Sequence, residues 1–186
     1  IINERIRRLG LIGHILSNYW IYDPISNDYY ECDIVLITIT GVYIIELKHW
    51  TGKVEIRPNR WRINNTRFRK DPHLNNAFKC RVLKGLCTRI LPACADRLRV
   101  ESIVLLTNPE VECIGKSSPK TDKHNPTFDS FDDLFAYLRY REKHYGNILT
   151  NFQVEALYKE LLKLQEERPI SGYNFPGYEV VEKLTE

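Results

Sequence analysis

Apolar and polar positions recur along this chain with two periods, and the switches between them mark out the elements. Ile6, Leu9, Ile12 and Leu16 fall at helical spacing behind Asn3, a capping residue, and predict a helix over residues 4–17. A short strand over residues 19–22 stops at Asp23-Pro24, and a polar turn through Ser26, Asn27 and Asp28 follows. Two nearly apolar runs, residues 33–38 and 42–48, then predict a hairpin; a second hairpin, residues 53–57 and 60–64, turns at Pro58-Asn59. Asp71-Pro72 sets a capping acid before a proline at the first helical position. The helix it opens carries Phe78, Val82, Leu86 and Ile90 on one stripe, with Arg81 and Lys84 opposite, and should stop near Pro92. Residues 100–107 read as a strand whose centre, Ile103-Val-Leu-Leu106, suits burial on both faces.

Residues 115–125 are rich in Lys, Ser, Pro and Asp and read as a mobile loop. Ser130 caps a helix running to about Lys143, with Leu134, Leu138, Phe131 and Phe135 inward. Thr150 and Gln153 form a capping box for a last helix over residues 151–167, with Phe152, Leu157, Leu161 and Leu164 as its apolar positions. Residues 168–177 are linker-like. The chain thus divides into one unit over residues 1–167 and a tail over residues 168–186.

Composition narrows the class. With 43% hydrophobic and 27% charged residues, the 186-residue chain can bury an ordinary globular core. No apolar run reaches the roughly 18 residues of a membrane span, and no signal-peptide pattern opens the chain, so no membrane partner is expected and the setting reads as cytoplasmic. The five cysteines include no CxxC pair. Cys80, Cys87 and Cys94 repeat every seven residues, as on one side of a helix packed into a core, so reduced structural thiols are expected rather than zinc ligands. An Ile1 start and the absence of methionine suggest a segment of a longer protein.

Charge is unevenly spread. Thirteen Lys and Arg against three acids between Lys53 and Arg99 leave the remainder acidic, although the whole chain is only +3. Such a block suits a polyanion, because phosphate contacts supply most nonspecific affinity for nucleic acid. Arg60, Arg62, Arg67, Arg69 and Lys70 are the candidates for backbone contacts, and the interleaved Trp61 and Phe68 are candidates for stacking on bases.

The chemistry concentrates on the first hairpin. Glu46 and Lys48 are two apart on a strand, hence on one face about 7 Å apart. If Thr38 pairs with Gly41, Asp33 falls opposite Glu46, about 5 Å away at Cβ, and both carboxylates can share one cation. A slip of one residue would separate them onto opposite faces. Two carboxylates suit magnesium, with manganese as an alternative, and a metal-bound water can then attack a phosphodiester. Lys48 would position that water and offset developing negative charge.

The order helix, three strands, helix, strand resembles the α/β core of restriction-endonuclease-like nucleases, αβββαβ with a mixed sheet flanked by helices. Here a hairpin is inserted and helices are added at the C-terminal side. More narrowly, Asn3-Glu4, Glu31-Cys-Asp33-Ile-Val and Gly41-Val-Tyr-Ile-Ile-Glu-Leu-Lys-His-Trp-Thr-Gly52 resemble the nuclease-related domain, NERD, over about residues 1–108. The resemblance implies Asp33 and Glu46 as metal ligands, Lys48 as the catalytic amine and Glu4 as a further acid of the site. It offers Glu31, two residues before Asp33 and so on its face, and His49 as supporting residues. The proline common before the Asp in the wider superfamily is replaced by Cys32. Expected partners are DNA and a C-terminal protein kinase domain, since residues 178–184 resemble a first kinase strand and such fusions occur in antiphage defence. Three readings compete: a magnesium-dependent DNA nuclease, a silent nucleic-acid sensing module controlling a kinase, and an interaction domain that keeps only the fold. Whether two copies associate as a homodimer is open.

Overall fold

The computed structural model describes Glu4, residues 13–121 and residues 124–167. The linker and kinase-like stretch expected over residues 168–186 lies outside the described residues, as do residues 5–12 of the expected first helix.

The central sheet is built from β1 (Gly13–Asp23), β2 (Asp28–Thr38), β3 (Gly41–Lys48), β7 (Val100–Leu106) and β9 (Thr127–Phe128), adjacent in that order. The first three strands are antiparallel, whereas β7 and β9 join in parallel, so the sheet is mixed. A second sheet comprises β4 (Lys53–Arg57), β5 (Arg60–Ile63), β6 (Arg67–Lys70) and β8 (Glu112–Ile114), in the order β6-β5-β4-β8. The expected inserted hairpin is thus the middle of a four-stranded sheet. Its extra strands are too short to show a period, and β8 is recruited from beyond β7. Three α-helices are described from end to end: α1 (Pro72–Ile90), α2 (Phe131–Tyr145) and α3 (Asn151–Glu166).

The caps form as expected. Asp71 accepts from the His73 amide, Ser130 from the Asp133 amide, and Thr150 with Gln153 closes a capping box. The first helix does not extend to Ser17, because residues 13–17 are strand and pair with Thr38 through Ile34 of β2. There the ladder overrides a helical spacing, and Leu16 is buried by the sheet instead.

The sheet separates two cores. Val35, Ile37, Val42 and Ile44 face α1 and α3, where Cys80, Leu83, Cys87, Val154, Leu157 and Leu161 meet them. Ile34, Leu36, Tyr43, Ile45, Ile103 and Leu105 face Leu134, Tyr137 and Leu138 of α2. The buried stripe of α1 is therefore centred on Cys80, Leu83 and Cys87, with Val82, Leu86 and Ile90 on its flank. Cys94, expected on the same helix, lies beyond its end in a 3-10 turn, Pro92–Cys94, and buries in the same core. On α3, Val154 takes the place expected for Phe152 and Leu164, which are exposed. All five cysteines are free, and burial pushes the Cys32, Cys80 and Cys87 thiols up to about 12. Residues 115–121 form neither helix nor strand, yet Ser117 is buried and hydrogen-bonded twice to Thr127.

A third core joins the sheets. Val104 and Leu106 of β7 bury against Val54, Trp61 and Ile63 of the second sheet. Trp61 is fully buried there, edge-on to Trp50, so it is a core residue and cannot stack on a base. No helix among the described residues is long and apolar enough to cross a membrane.

Candidate active site

The β2–β3 ladder settles the register on which the site depends. Thr38 pairs with Gly41, and the pairs continue to Ile34 with Ile45, so Asp33 and Glu46 come next on either side. Gly41 allows the turn: its φ is +135°, and a Cβ there would lie 3.0 Å from the Arg99 carbonyl oxygen. Past Ile34 the strands part, and the Asp33 carboxylate takes over the role of a backbone acceptor, with Oδ2 receiving the Leu47 amide at 2.7 Å.

Glu46 and Lys48 continue the Val42, Ile44 face of β3, which is the face that α1 covers. Lys48 Nζ donates to Glu46 Oε1 at 2.6 Å. A second lysine, Lys79 from α1, donates to Glu46 Oε2 at 3.1 Å. The Glu46, Lys48 and Lys79 side chains are 12%, 28% and 15% exposed, so the cluster is largely enclosed but open to solvent at one end. Beside it, β7 contributes Val104 next to Glu46 and Leu106 next to Lys48, the residues on which the second sheet rests. The site therefore lies between α1 and the second sheet.

The two carboxylates differ in charge stability. Burial raises the Asp33 carboxyl above its ordinary range, opposed by the Leu47 amide, and the neighbouring Glu46 charge raises it further. Burial also acts to raise Glu46, but the hydrogen bonds and charges of Lys48 and Lys79 outweigh it and hold that carboxyl low.

Glu46 and Lys48 are in contact, Asp33 stands at the next step of the β2–β3 ladder beside them, and Lys79 was missed. A lysine reads as a surface residue, yet Asn76, Lys79 and Leu83 follow helical spacing on the stripe that α1 buries. That placement was the available signal. His49 is exposed just beyond β3 and shares a hydrogen bond with Thr107 through Nδ1 at 3.1 Å. Glu4 is helical and exposed.

Glu31 does not share the face of Asp33. The β1–β2 ladder pairs Ser17 with Ile34 and Tyr19 with Cys32 but skips the step between, where Asn18 has a φ of +49°. Cys32 and Val35, three residues apart, consequently bury in the same core. Tyr30 also packs there, against Phe78, which puts Glu31 on the opposite face, where it is exposed. A count by twos fails because the alternation breaks beside Asp33.

The expected basic patch divides between two faces of the second sheet. Arg60 pairs with Lys70, and Arg62 with Phe68, on the outer face; Arg67 and Arg69 pair with Ile63 and Trp61 and lie on the inner side at the β6 edge. Arg62 is tied to Glu55, with Nε 2.8 Å from Oε2, and Arg57 holds the other oxygen of the same carboxylate. Arg60, Arg67, Arg69 and Lys70 are exposed, and Phe68 lies beneath the Arg60 guanidinium at 4.6 Å.

A mixed sheet covered by helices, with a carboxylate pair and a lysine where the ladder between its second and third strands ends, defines a nuclease-like α/β core. The family model for the nuclease-related domain, NERD, matches residues 2–107, and the chain belongs to that family. No curated protein and no solved structure matches it.

Proposed function

We propose that this domain is a divalent-metal-dependent nuclease that hydrolyses DNA phosphodiester bonds. The observation that carries this reading is the nearness of Asp33, Glu46 and Lys48 at the partly open end of the β2–β3 ladder. The donor set fits a magnesium-type ion. It is all oxygen, Asp33 Oδ1 accepts no hydrogen bond among the described residues, and the two carboxylates feel each other's charge. Among the described residues no group of three or more His, Cys, Asp or Glu is suited to a metal, so a cation held by Asp33 and Glu46 would keep several of its waters, as magnesium does.

Asp33 and Glu46 would hold the cation, which when bound supplies an acidified water and a polarised phosphoryl oxygen. Lys48, held by Glu46 at 2.6 Å, would hydrogen-bond the attacking oxygen and offset charge as it develops on phosphorus-bound oxygens. The Leu47 amide keeps Asp33 from rotating away. The exposed Arg67 and Arg69 guide the sugar-phosphate chain from the β6 edge, while Arg60 and Lys70 extend the binding surface on the outer face. The five free cysteines suit a reducing, cytoplasmic setting, and linkage to a C-terminal kinase in an antiphage role belongs to the same proposal.

Incubating plasmid and linear DNA with the protein in magnesium or manganese should give cleavage that Asp33→Asn and Lys48→Met each reduce by about 10²–10³-fold. Equal cleavage by wild type and both variants would overturn the assignment. DNA binding without cleavage would favour the second reading, a silent sensing module. The occupation of both Glu46 oxygens by ammonium groups is the observation on its side.

A further inference from the structure

We propose that Lys79 is a gate on cation loading: it holds Glu46 Oε2 before a cation binds and releases it when a phosphate arrives, so that metal and nucleic acid bind as a linked pair. This rests on the metal-site reading above and adds to it a residue and an order of events.

Charge sets the starting condition. Asp33 and Glu46 bring two negative charges, and Lys48 and Lys79 bring two positive ones; both lysines hydrogen-bond Glu46, and Asp33, held by the Leu47 amide, interacts electrostatically with all three. The pocket is therefore balanced by its own side chains, unlike a bare carboxylate pair, which would attract a divalent ion strongly. Both oxygens of Glu46 already accept from an ammonium. A cation that settles between the carboxylates must either approach Lys79 closely or displace it. With little water to screen them, as the 15% exposure of Lys79 and 12% of Glu46 imply, that repulsion is strong.

A phosphodiester changes the balance. It carries one negative charge and two free acceptor oxygens into the cluster, so Lys79 can move from carboxylate to phosphate without losing a charged partner. The lysine side chain suits this transfer, with three donors on a flexible four-carbon stem. Its backbone is anchored on the buried stripe of α1, between Asn76 and Leu83, so only the stem has to turn. Lys48, adjacent to Glu46 on the same strand, stays with Oε1 throughout. Two ligands that each relieve the penalty of the other must raise one another's affinity by the same factor.

The test is a manganese titration, followed by calorimetry and by the spin resonance of free Mn²⁺. It uses wild type, Lys79→Met, Lys79→Arg and Asp33→Asn, each alone and with a phosphorothioate oligonucleotide that resists cleavage. Wild type should bind Mn²⁺ at least tenfold more tightly with the oligonucleotide than without. Lys79→Met should bind Mn²⁺ at least tenfold more tightly than wild type without the oligonucleotide and gain little from it, while Lys79→Arg keeps the wild-type pattern. Should Lys79→Met fail to fold, wild type and Lys79→Arg still decide the question through their dependence on the oligonucleotide. Equal Mn²⁺ affinity with and without oligonucleotide in wild type would overturn the gate, and loss of binding in Asp33→Asn would then leave the metal site standing. If Asp33→Asn matched wild type, or if nothing bound Mn²⁺ even with the oligonucleotide, the metal-site reading would fall and the gate with it.

Discussion

The central sheet holds two carboxylates that are each gripped by a cation from a packed helix, and the two are built for different ends. Glu101, opposite Tyr43, faces α2 and meets Arg141 at 2.8 Å, with the two side chains 8% and 1% exposed. Glu46, three residues further along β3 than Tyr43 and on the other face, meets Lys48 and Lys79 where solvent still enters. In the first case a rigid guanidinium is sealed in place beside Tyr137, and Glu101 Oε2, Arg141 Nε and the Tyr137 hydroxyl have no hydrogen-bond partner among the described residues. In the second, both oxygens of the glutamate that α1 covers are matched, and the cations are lysines that can turn. The sealed pair acts on the fold, whereas the open cluster can exchange partners.

Removing one member from each cluster separates these roles. Arg141→Met leaves the buried Glu101 without its guanidinium, beside the exposed His124 at 3.6 Å, and should cost about 3–5 kcal/mol in denaturant unfolding. Lys48→Met leaves Glu46 its bond to Lys79, so the same experiment should show a loss of about 1 kcal/mol or less. Its effect belongs in turnover, with cutting reduced by about 10²–10³-fold. A Lys48→Met protein as unstable as Arg141→Met would mean that the Glu46 cluster is structural after all.

The reason part of this was legible in advance is local. The Thr38–Gly41 pairing follows from a short turn between two apolar runs, and once it is set, Glu46 and Lys48 need only the two-residue alternation of a strand, with Asp33 at the step after the last pair. The caps at Asp71, Ser130 and Thr150 are likewise properties of three or four consecutive residues. What escaped depends on distant parts of the chain. Lys79 is 33 residues from Glu46 and reaches it only because α1 crosses that end of the sheet. Trp61 looked available for stacking among arginines, but its pairing with Ile56 aims it at Val104 and Leu106. The residues 13–17 follow a helical spacing that pairing with β2 overrules.

The second sheet supplies a smaller effect that bears on the same contrast, because its charges are mostly exposed and free of deep packing. Arg67→Gln with Arg69→Gln should leave unfolding unchanged and weaken DNA binding. The slope of log affinity against log salt should fall by about 0.9 for each phosphate of duplex DNA that is no longer neutralised. Arg62→Gln should change that slope less, since Glu55 already holds its guanidinium. A slope altered by Arg62 and not by Arg67 or Arg69 would move the nucleic-acid path from the β6 edge to the outer face.

The smallest change tests what places Asp33. Asn18 stands at the skipped step of the β1–β2 ladder with a φ of +49°, a conformation that Asn and Gly tolerate and β-branched residues do not. Asn18→Gly should retain both stability and cutting. Asn18→Val should cost about 1–2 kcal/mol if the backbone keeps its left-handed turn. The chain has one escape, which is to straighten β1 and pair residue 18 with Asp33. That would restore strict alternation through residues 30–35, so Cys32 and Val35 could no longer share a core. Near-normal stability in Asn18→Val together with lost cutting would show that the break in alternation exists to aim Asp33. Normal stability with normal cutting would show that the carboxylate is placed by the Leu47 amide alone.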